Sequence, residues 1–141
     1  MQEMTAAELR EFLLGRARTA SLATVRADGR PHVAPIWFDL DGETLVFTTG
    51  EDSVKGRNMA RDPRVSLCID DEEPPFHFVL IDGSAESTSG DPDLLYWSTR
   101  LGGRYMGAER AEEYGRRNAV EGELLVRVTP RKILAYRDIA H

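Results

Sequence analysis

The sequence predicts a mainly β (α+β) domain, an antiparallel barrel of about six to seven strands with helices on its outside. Seven short runs of strand character outnumber the helical ones. Asp28-Gly29 and Asp41-Gly42 separate the early runs, and Asp-Gly between apolar runs is a strong hairpin signal. No alternation of strand and helix points to a parallel sheet. At 141 residues, with 41% hydrophobic and 30% charged side chains, the chain fits one domain over residues 1–141.

Element by element, Thr5-Ala6-Ala7-Glu8 has capping-box spacing, and Leu9, Phe12 and Leu13 recur at helical intervals to about Arg18. From Ala20 the period changes: Ala20 to Val25, Pro31 to Leu40 and Glu43 to Thr48 read as an antiparallel meander. Ser53 to Arg61 reads as a short helix, Val65 to Ile69 as a strand, Asp70 to Pro75 as an acidic loop and Phe76 to Glu86 as a longer strand. Asp91 to Asn118 is mostly helical, with a break expected at Gly102-Gly103. Glu123 to Thr129 and Lys132 to Arg137 are β-like runs separated by Pro130, which removes a ladder donor and implies a bend or bulge.

Composition narrows the function. Eighteen Lys and Arg against 24 Asp and Glu give a net charge of −6, which argues against a nucleic-acid binder. No window approaches the roughly 18 consecutive apolar residues of a membrane span, and the N-terminus lacks the pattern of a signal peptide, so a cytoplasmic location is expected. Cys68 is the sole cysteine and three scattered histidines form no zinc motif, so no metal is expected. Cys68 reads as a small core residue rather than a nucleophile.

Three stretches carry more than scaffold. In Thr48-Thr49-Gly50-Glu51-Asp52-Ser53-Val54-Lys55-Gly56-Arg57-Asn58, a helix capped by Ser53 places Lys55 and Arg57 at or near its first turn, where the macrodipole opposes cations. From Asp52 to Arg64 four cations face two anions in an otherwise acidic chain. A phosphate held on the free amides resolves the conflict, with Thr48, Thr49 and Ser53 as hydroxyl donors. The plain alternative is a solvated helix balanced by Glu51 and Asp52. In the second stretch, alternation puts Ala34, Ile36, Phe38 and Leu40 on a core face and Val33, Pro35 and Trp37 on the other, where Trp37 flanks a planar ring or fills a subunit interface. In the third, Phe76, Phe78 and Leu80 against His77, Val79 and Ile81 predict burial on both faces, as at a dimer seam or ligand slot. His77 and Tyr105 are weak proton-donor candidates, and no catalytic residue is identified. Walker, Gly-x-Ser-x-Gly and His-Glu-x-x-His motifs are absent.

The order Ser21-Leu22-Ala23-Thr24, Asp28-Gly29-x-Pro31-His32, Pro35-Ile36-Trp37-Phe38, Ser53-x-Lys55-x-Arg57-Asn58, Asp62-Pro63-Arg64-Val65-Ser66 and Asp82-Gly83-Ser84-Ala85 resembles the pyridoxamine 5′-phosphate oxidase-like superfamily of flavin and deazaflavin oxidoreductases. The resemblance runs from roughly Ala7 to Glu86, with a weaker echo at Leu124 to Arg137. It implies a split β-barrel homodimer with two cofactor sites between the subunits. It further implies that Lys55, Arg57 and Asn58 hold the cofactor phosphate, that Pro35, Ile36 and Trp37 line its ring, and that Phe76 and Phe78 match positions contributed by the partner subunit. In its short length and Lys-x-Arg-Asn signature the chain is most similar to the actinobacterial group that uses the deazaflavin coenzyme F420. It departs from pyridoxamine phosphate oxidases in lacking an Arg-Leu-x-Pro-like terminal segment, ending Leu134-Ala135-Tyr136-Arg137-Asp138. The expected function is an F420-dependent reductase delivering hydride to an activated C=C or C=N bond of a planar conjugated substrate. An FMN-dependent oxidase or reductase and a non-catalytic binder of flavin, deazaflavin or tetrapyrrole are the alternatives.

Overall fold

A computed structural model describes residues 1–140. In chain order the elements are β1 (Gln2–Glu3), α1 (Ala6–Gly15), β2 (Ala20–Val25), β3 (Pro31–Ile36), β4 (Asp39–Asp41), β5 (Thr44–Gly50), α2 (Val54–Arg61), β6 (Arg64–Asp70), β7 (Phe78–Ser89), α3 (Leu94–Met106), a short 3₁₀ turn at Ala108–Arg110, α4 (Ala111–Asn118) and β8 (Glu123–Arg137). The strands form one antiparallel sheet in the order β3-β2-β6-β7-β8-β5-β4, with β1 added along β8. The mainly β class with outer helices holds, and the strand count is eight.

Two strands carry the curvature. The 12-residue β7 and the 15-residue β8 pair along their whole lengths, and β8 also takes β5 along Glu123–Val128. The two runs expected on either side of Pro130 are therefore one strand. Pro130 sits opposite Gly83 at a register shift, so its missing donor falls where the ladder is already interrupted. Inward-facing residues of alternate positions, among them Leu22, Phe38, Phe47, Leu67, Ile69, Val79, Ile81 and Val126, are almost fully buried and form the barrel core with Phe12 and Leu13 of α1.

α1 begins as its sequence dictates. Glu8 N donates to Thr5 Oγ1 at 3.1 Å and Thr5 N donates to Glu8 Oε1 at 2.9 Å, completing the capping box. The helix ends at Gly15, three residues earlier than the apolar periodicity implies. Its last turn has no cation of its own. Arg104 of α3 supplies one, its guanidinium donating to the carbonyls of Leu13, Leu14 and Arg16 at 2.7, 3.2 and 3.0 Å.

Further expectations are corrected. The run Pro31 to Leu40 is split into β3 and β4, because the Phe38 amide leaves the ladder and donates to the Tyr105 hydroxyl at 3.1 Å. The helix does not break at Gly102-Gly103 but at Gly107, whose φ of +100° favours glycine. Gly102 instead allows α4 to approach, since a Cβ there would stand 2.5 Å from Cβ of Tyr114. Phe76 lies before β7 rather than in it, with φ +60°. Burial on both faces of β7 is not seen within one chain: Val79 and Ile81 are inside, while Leu80 is 39% exposed beside Leu134 at 37%.

Candidate cofactor-binding site

The element that sets the site is the junction of β5 and α2. Ser53 Oγ accepts from Gly56 N at 3.0 Å and donates its one proton to the Gly50 carbonyl at 2.7 Å. Thr49 must therefore donate in its 3.0 Å contact with Ser53. Gly56 is required here because a Cβ would run into the Gly50 carbonyl oxygen and stand 3.0 Å from Ser53 Oγ. With Gly56 N taken by the cap and Arg57 N by the Ser53 carbonyl, the amides of Val54 and Lys55 are left open at the positive end of the helix. No acidic residue lies in that first turn.

Lys55 opens into a cavity of about 260 Å³ lined by Pro35, Ile36, Trp37, Thr48, Lys55, Ser98, Leu101, Asn118 and Glu123. Trp37 is held from behind: its ring stacks on Tyr105 with centroids 4.9 Å apart and planes 1° from parallel. Glu123, the first residue of β8, faces Thr48 and Lys55. Burial pushes its carboxyl above the ordinary 4.5, against the opposing effects of a hydrogen bond from Thr48 and the charge of Lys55. Ser98 is 1% exposed and its hydroxyl has no partner. A buried donor of that kind on a cavity wall is a ready contact for a bound polar group.

The structure thus gathers Pro35, Ile36, Trp37, Thr48 and Lys55 in one place. Thr49 and Ser53 stand beside it, engaged in the cap. Arg57 is exposed, 3.9 Å from Asp52. Asn58 faces inward: its amide donates to Thr24 at 3.0 Å and accepts from Arg61 at 3.0 Å, fastening α2 to β2. Phe76 and Phe78 lie at the Asp70 end of the sheet, Phe78 against Tyr136 at 5.7 Å. Neither proton-donor candidate lines the cavity. The Tyr105 hydroxyl donates to the Arg18 carbonyl at 2.6 Å, and His77 Nδ1 accepts from Asp138 N at 3.2 Å beside a separate cavity of about 560 Å³ under α1. Burial and Asp70 raise the Cys68 thiol, which keeps it protonated and unreactive near neutrality.

Sequence reasoning missed Ser98, Leu101, Asn118 and Glu123. Three of these come from α3 and α4, and no local pattern says that this helical pair closes over the β3–β4 bend.

A family model for pyridoxamine 5′-phosphate oxidase matches residues 5–136. The chain belongs to this family. Its fold is that of the flavin-binding oxidoreductases grouped with pyridoxamine 5′-phosphate oxidase. A pyridoxine/pyridoxamine 5′-phosphate oxidase from Burkholderia multivorans is 35% identical over 104 residues, covering 71% of this chain and 47% of that protein. The chain spans about half the length of such curated relatives. A conserved hypothetical protein from Mycobacterium tuberculosis superposes with TM-score 0.82 at 27% identity, covering 98% of this chain and 90% of the other. A structure described as an F420 reductase superposes with TM-score 0.68 at 31% identity, covering 87% and 94%.

Proposed function

We propose that this member of the pyridoxamine 5′-phosphate oxidase family is a reductase that binds the deazaflavin coenzyme F420 in the cavity between Lys55 and Trp37. The observation that carries this reading is Lys55, a cation set against the macrodipole of its own helix and open to a cavity walled by an indole. Lys55 and the open amides fit a phosphate, with Arg57 at the rim and Asn58 bracing the helix behind them. Pro35, Ile36 and Trp37 fit the flat ring, and the Ser98 hydroxyl fits a polar edge. The likeness to the F420 reductase structure, 31% identical with a TM-score of 0.68, supports the deazaflavin.

Bound in the cavity, the reduced coenzyme supplies hydride to an activated C=C or C=N bond of a planar conjugated substrate. The protein's part is to orient the two planar molecules and exclude water. The Tyr105 proton is committed to the Arg18 carbonyl and the same chain's His77 lies elsewhere, which favours solvent over either as the proton source.

The volume of about 260 Å³ is below the roughly 300–1,000 Å³ of typical ligand pockets, which supports a site completed from outside this chain. We take the remainder from a second copy. Leu80 and Leu134 are adjacent on the outer sheet face, Val33 is 66% exposed on the same face, and the chain exposes 8180 Å², against about 7,300 Å² for a compact monomer of this mass. Parallel titration of the purified protein with F420 and with FMN, followed by mass measurement in solution, tests the reading. Saturable binding of the deazaflavin by a dimer is expected. Binding of FMN alone establishes the flavin alternative, and binding of neither refutes both.

A further inference from the structure

The cavity holds one full positive charge, Lys55, and one full negative charge, Glu123. Arg57, on the same helix as Lys55, is exposed 3.9 Å from Asp52, and the exposed Glu51 lies beside Gly122, next to Glu123. What remains for an anion is uncharged: two helix amides and the buried Ser98 hydroxyl, which has no partner on the protein, since the Thr48 hydroxyl already donates to Glu123. Such a lining satisfies the oxygens of an anion without matching a high charge. A carboxylate is also an unexpected neighbour for a phosphate, and its presence beside Lys55 calls for a function.

Building on the cofactor reading above, we propose that Glu123 makes this site selective for a singly charged phosphodiester over a doubly charged terminal phosphomonoester. A diester carries one negative charge. A monoester carries about 1.5 to 2 at neutral pH, rising to two above it. Lys55 balances the first charge, and the second meets the Glu123 carboxylate in a half-buried site, where charges interact more strongly than in water. The selectivity lies in a repulsive group as well as an attractive one. FMN ends in a monoester, whereas the phosphate of F420 is a diester whose glutamate carboxylates lie further along the tail, so Glu123 sorts the two cofactors by the charge at the phosphate itself. Burial raises the Glu123 carboxyl, and a proton taken up there removes the discrimination. The discrimination is therefore to be measured at pH 8.

The test is equilibrium titration by fluorescence at pH 8 and low salt, using the full chain as wild type, Glu123→Gln and Glu123→Asp, with riboflavin, F420 and FMN as ligands. The repulsion scales with the charge on the phosphate held beside Glu123, so Glu123→Gln is expected to leave riboflavin unchanged, tighten F420 about threefold and tighten FMN about tenfold. Glu123→Asp keeps the charge and is expected to keep the wild-type preference. Equal tightening of F420 and FMN, or no change in their ratio, overturns the role of Glu123 while leaving the cofactor reading intact. If neither cofactor binds wild type or variant, the cofactor reading fails and this inference fails with it.

Discussion

Replacing Gly56 by alanine tests how α2 is seated. In an exposed helix interior, glycine to alanine stabilises by about 1 kcal/mol. At Gly56 the added methyl would overlap the Gly50 carbonyl oxygen, with Ser53 Oγ at 3.0 Å and the Glu51 carbonyl at 3.4 Å. The Gly50 carbonyl cannot swing aside, because Gly50 is held in the ladder opposite Glu123. The helix must lift instead. Lifting stretches the 3.0 Å cap bond from Gly56 N to Ser53, a loss of about 1 kcal/mol, and adds overpacking of about 1–3 kcal/mol. After subtraction of the propensity gain, the variant is expected to be less stable by about 1–3 kcal/mol. Urea unfolding with an unchanged m-value is the assay. Gly15→Ala is the control, since a methyl there meets only the mobile carboxyl of Glu11, and it is expected to be neutral or stabilising. A Gly56→Ala protein as stable as wild type refutes the close seating of α2 on β5.

Lys55→Ala is expected to weaken cofactor binding by about 1.5–3 kcal/mol, or about 10- to 150-fold, measured by titration; unchanged affinity places the phosphate elsewhere. Tyr105→Phe leaves the Phe38 amide and the Arg18 carbonyl without their partner, and is expected to lower stability by about 1–3 kcal/mol in urea without altering the pH profile of turnover. Because burial raises the Glu123 carboxyl above 4.5, its contribution to stability is complete below that value and is lost as pH rises through the folded value. Glu123→Gln is therefore expected to raise Tm at pH 8, with the gain vanishing as pH falls to 4.5. Asp62 runs the other way: the hydrogen bond from Arg64 lowers its carboxyl from 3.8 to about 2, so its contribution is present above 3.8 and is lost as pH falls through about 2. Asp62→Asn is expected to flatten that acid limb of the stability curve.

Local signals carried far in this chain. The capping box at Thr5, the Ser53 cap and the Asp-Gly turns are short-range chemistry, and the elements they bound lie where the sequence places them to within a few residues. A continuous meander is not what forms, since β3 and β4 lie at opposite ends of the strand order, but the β2–β3 and β4–β5 hairpins are legible from their Asp-Gly turns. Lys55 stood out for the same reason, since its conflict with the macrodipole is visible from spacing alone. Tertiary contacts decided the rest. Gly102 was expected to break a helix; packing of Tyr114 against it outweighs the propensity cost of glycine. Asp39 lies in a strand as the sequence predicts, but its burial at 4% exposure and its bond from Arg100 at 3.1 Å, a partner 61 residues away, leave no mark in the local pattern. Asn58 is expected at the cofactor from its place after Lys55 and Arg57, and its amide also fastens α2 to β2 through Thr24, 34 residues away, a contact that no local pattern shows.

The segment from Leu94 to Asn118 shows how far a site depends on residues without a signature. Leu94, Trp97, Ser98, Leu101 and Tyr105 follow helical spacing and share one face of α3. Leu94 and Trp97 join Val46 and Leu125 in a second apolar cluster, fixing the helix to the outer face of β5 and β8. That anchorage sets the next turns: Ser98 and Leu101 reach the cavity, and Tyr105 stacks on Trp37 and holds the bend between β3 and β4. On the flank of the same helix, Arg100 binds Asp39 and Arg104 caps α1. A pattern that reads as ordinary amphipathic cover therefore sets the distance between an indole and an unpartnered hydroxyl. Shifting α3 by one turn, about 5.4 Å, would take Ser98 from the cavity and Tyr105 from behind Trp37 at once, so the precision of the site is expected to follow the packing of α3 more closely than the identity of any residue in the β3–β4 bend.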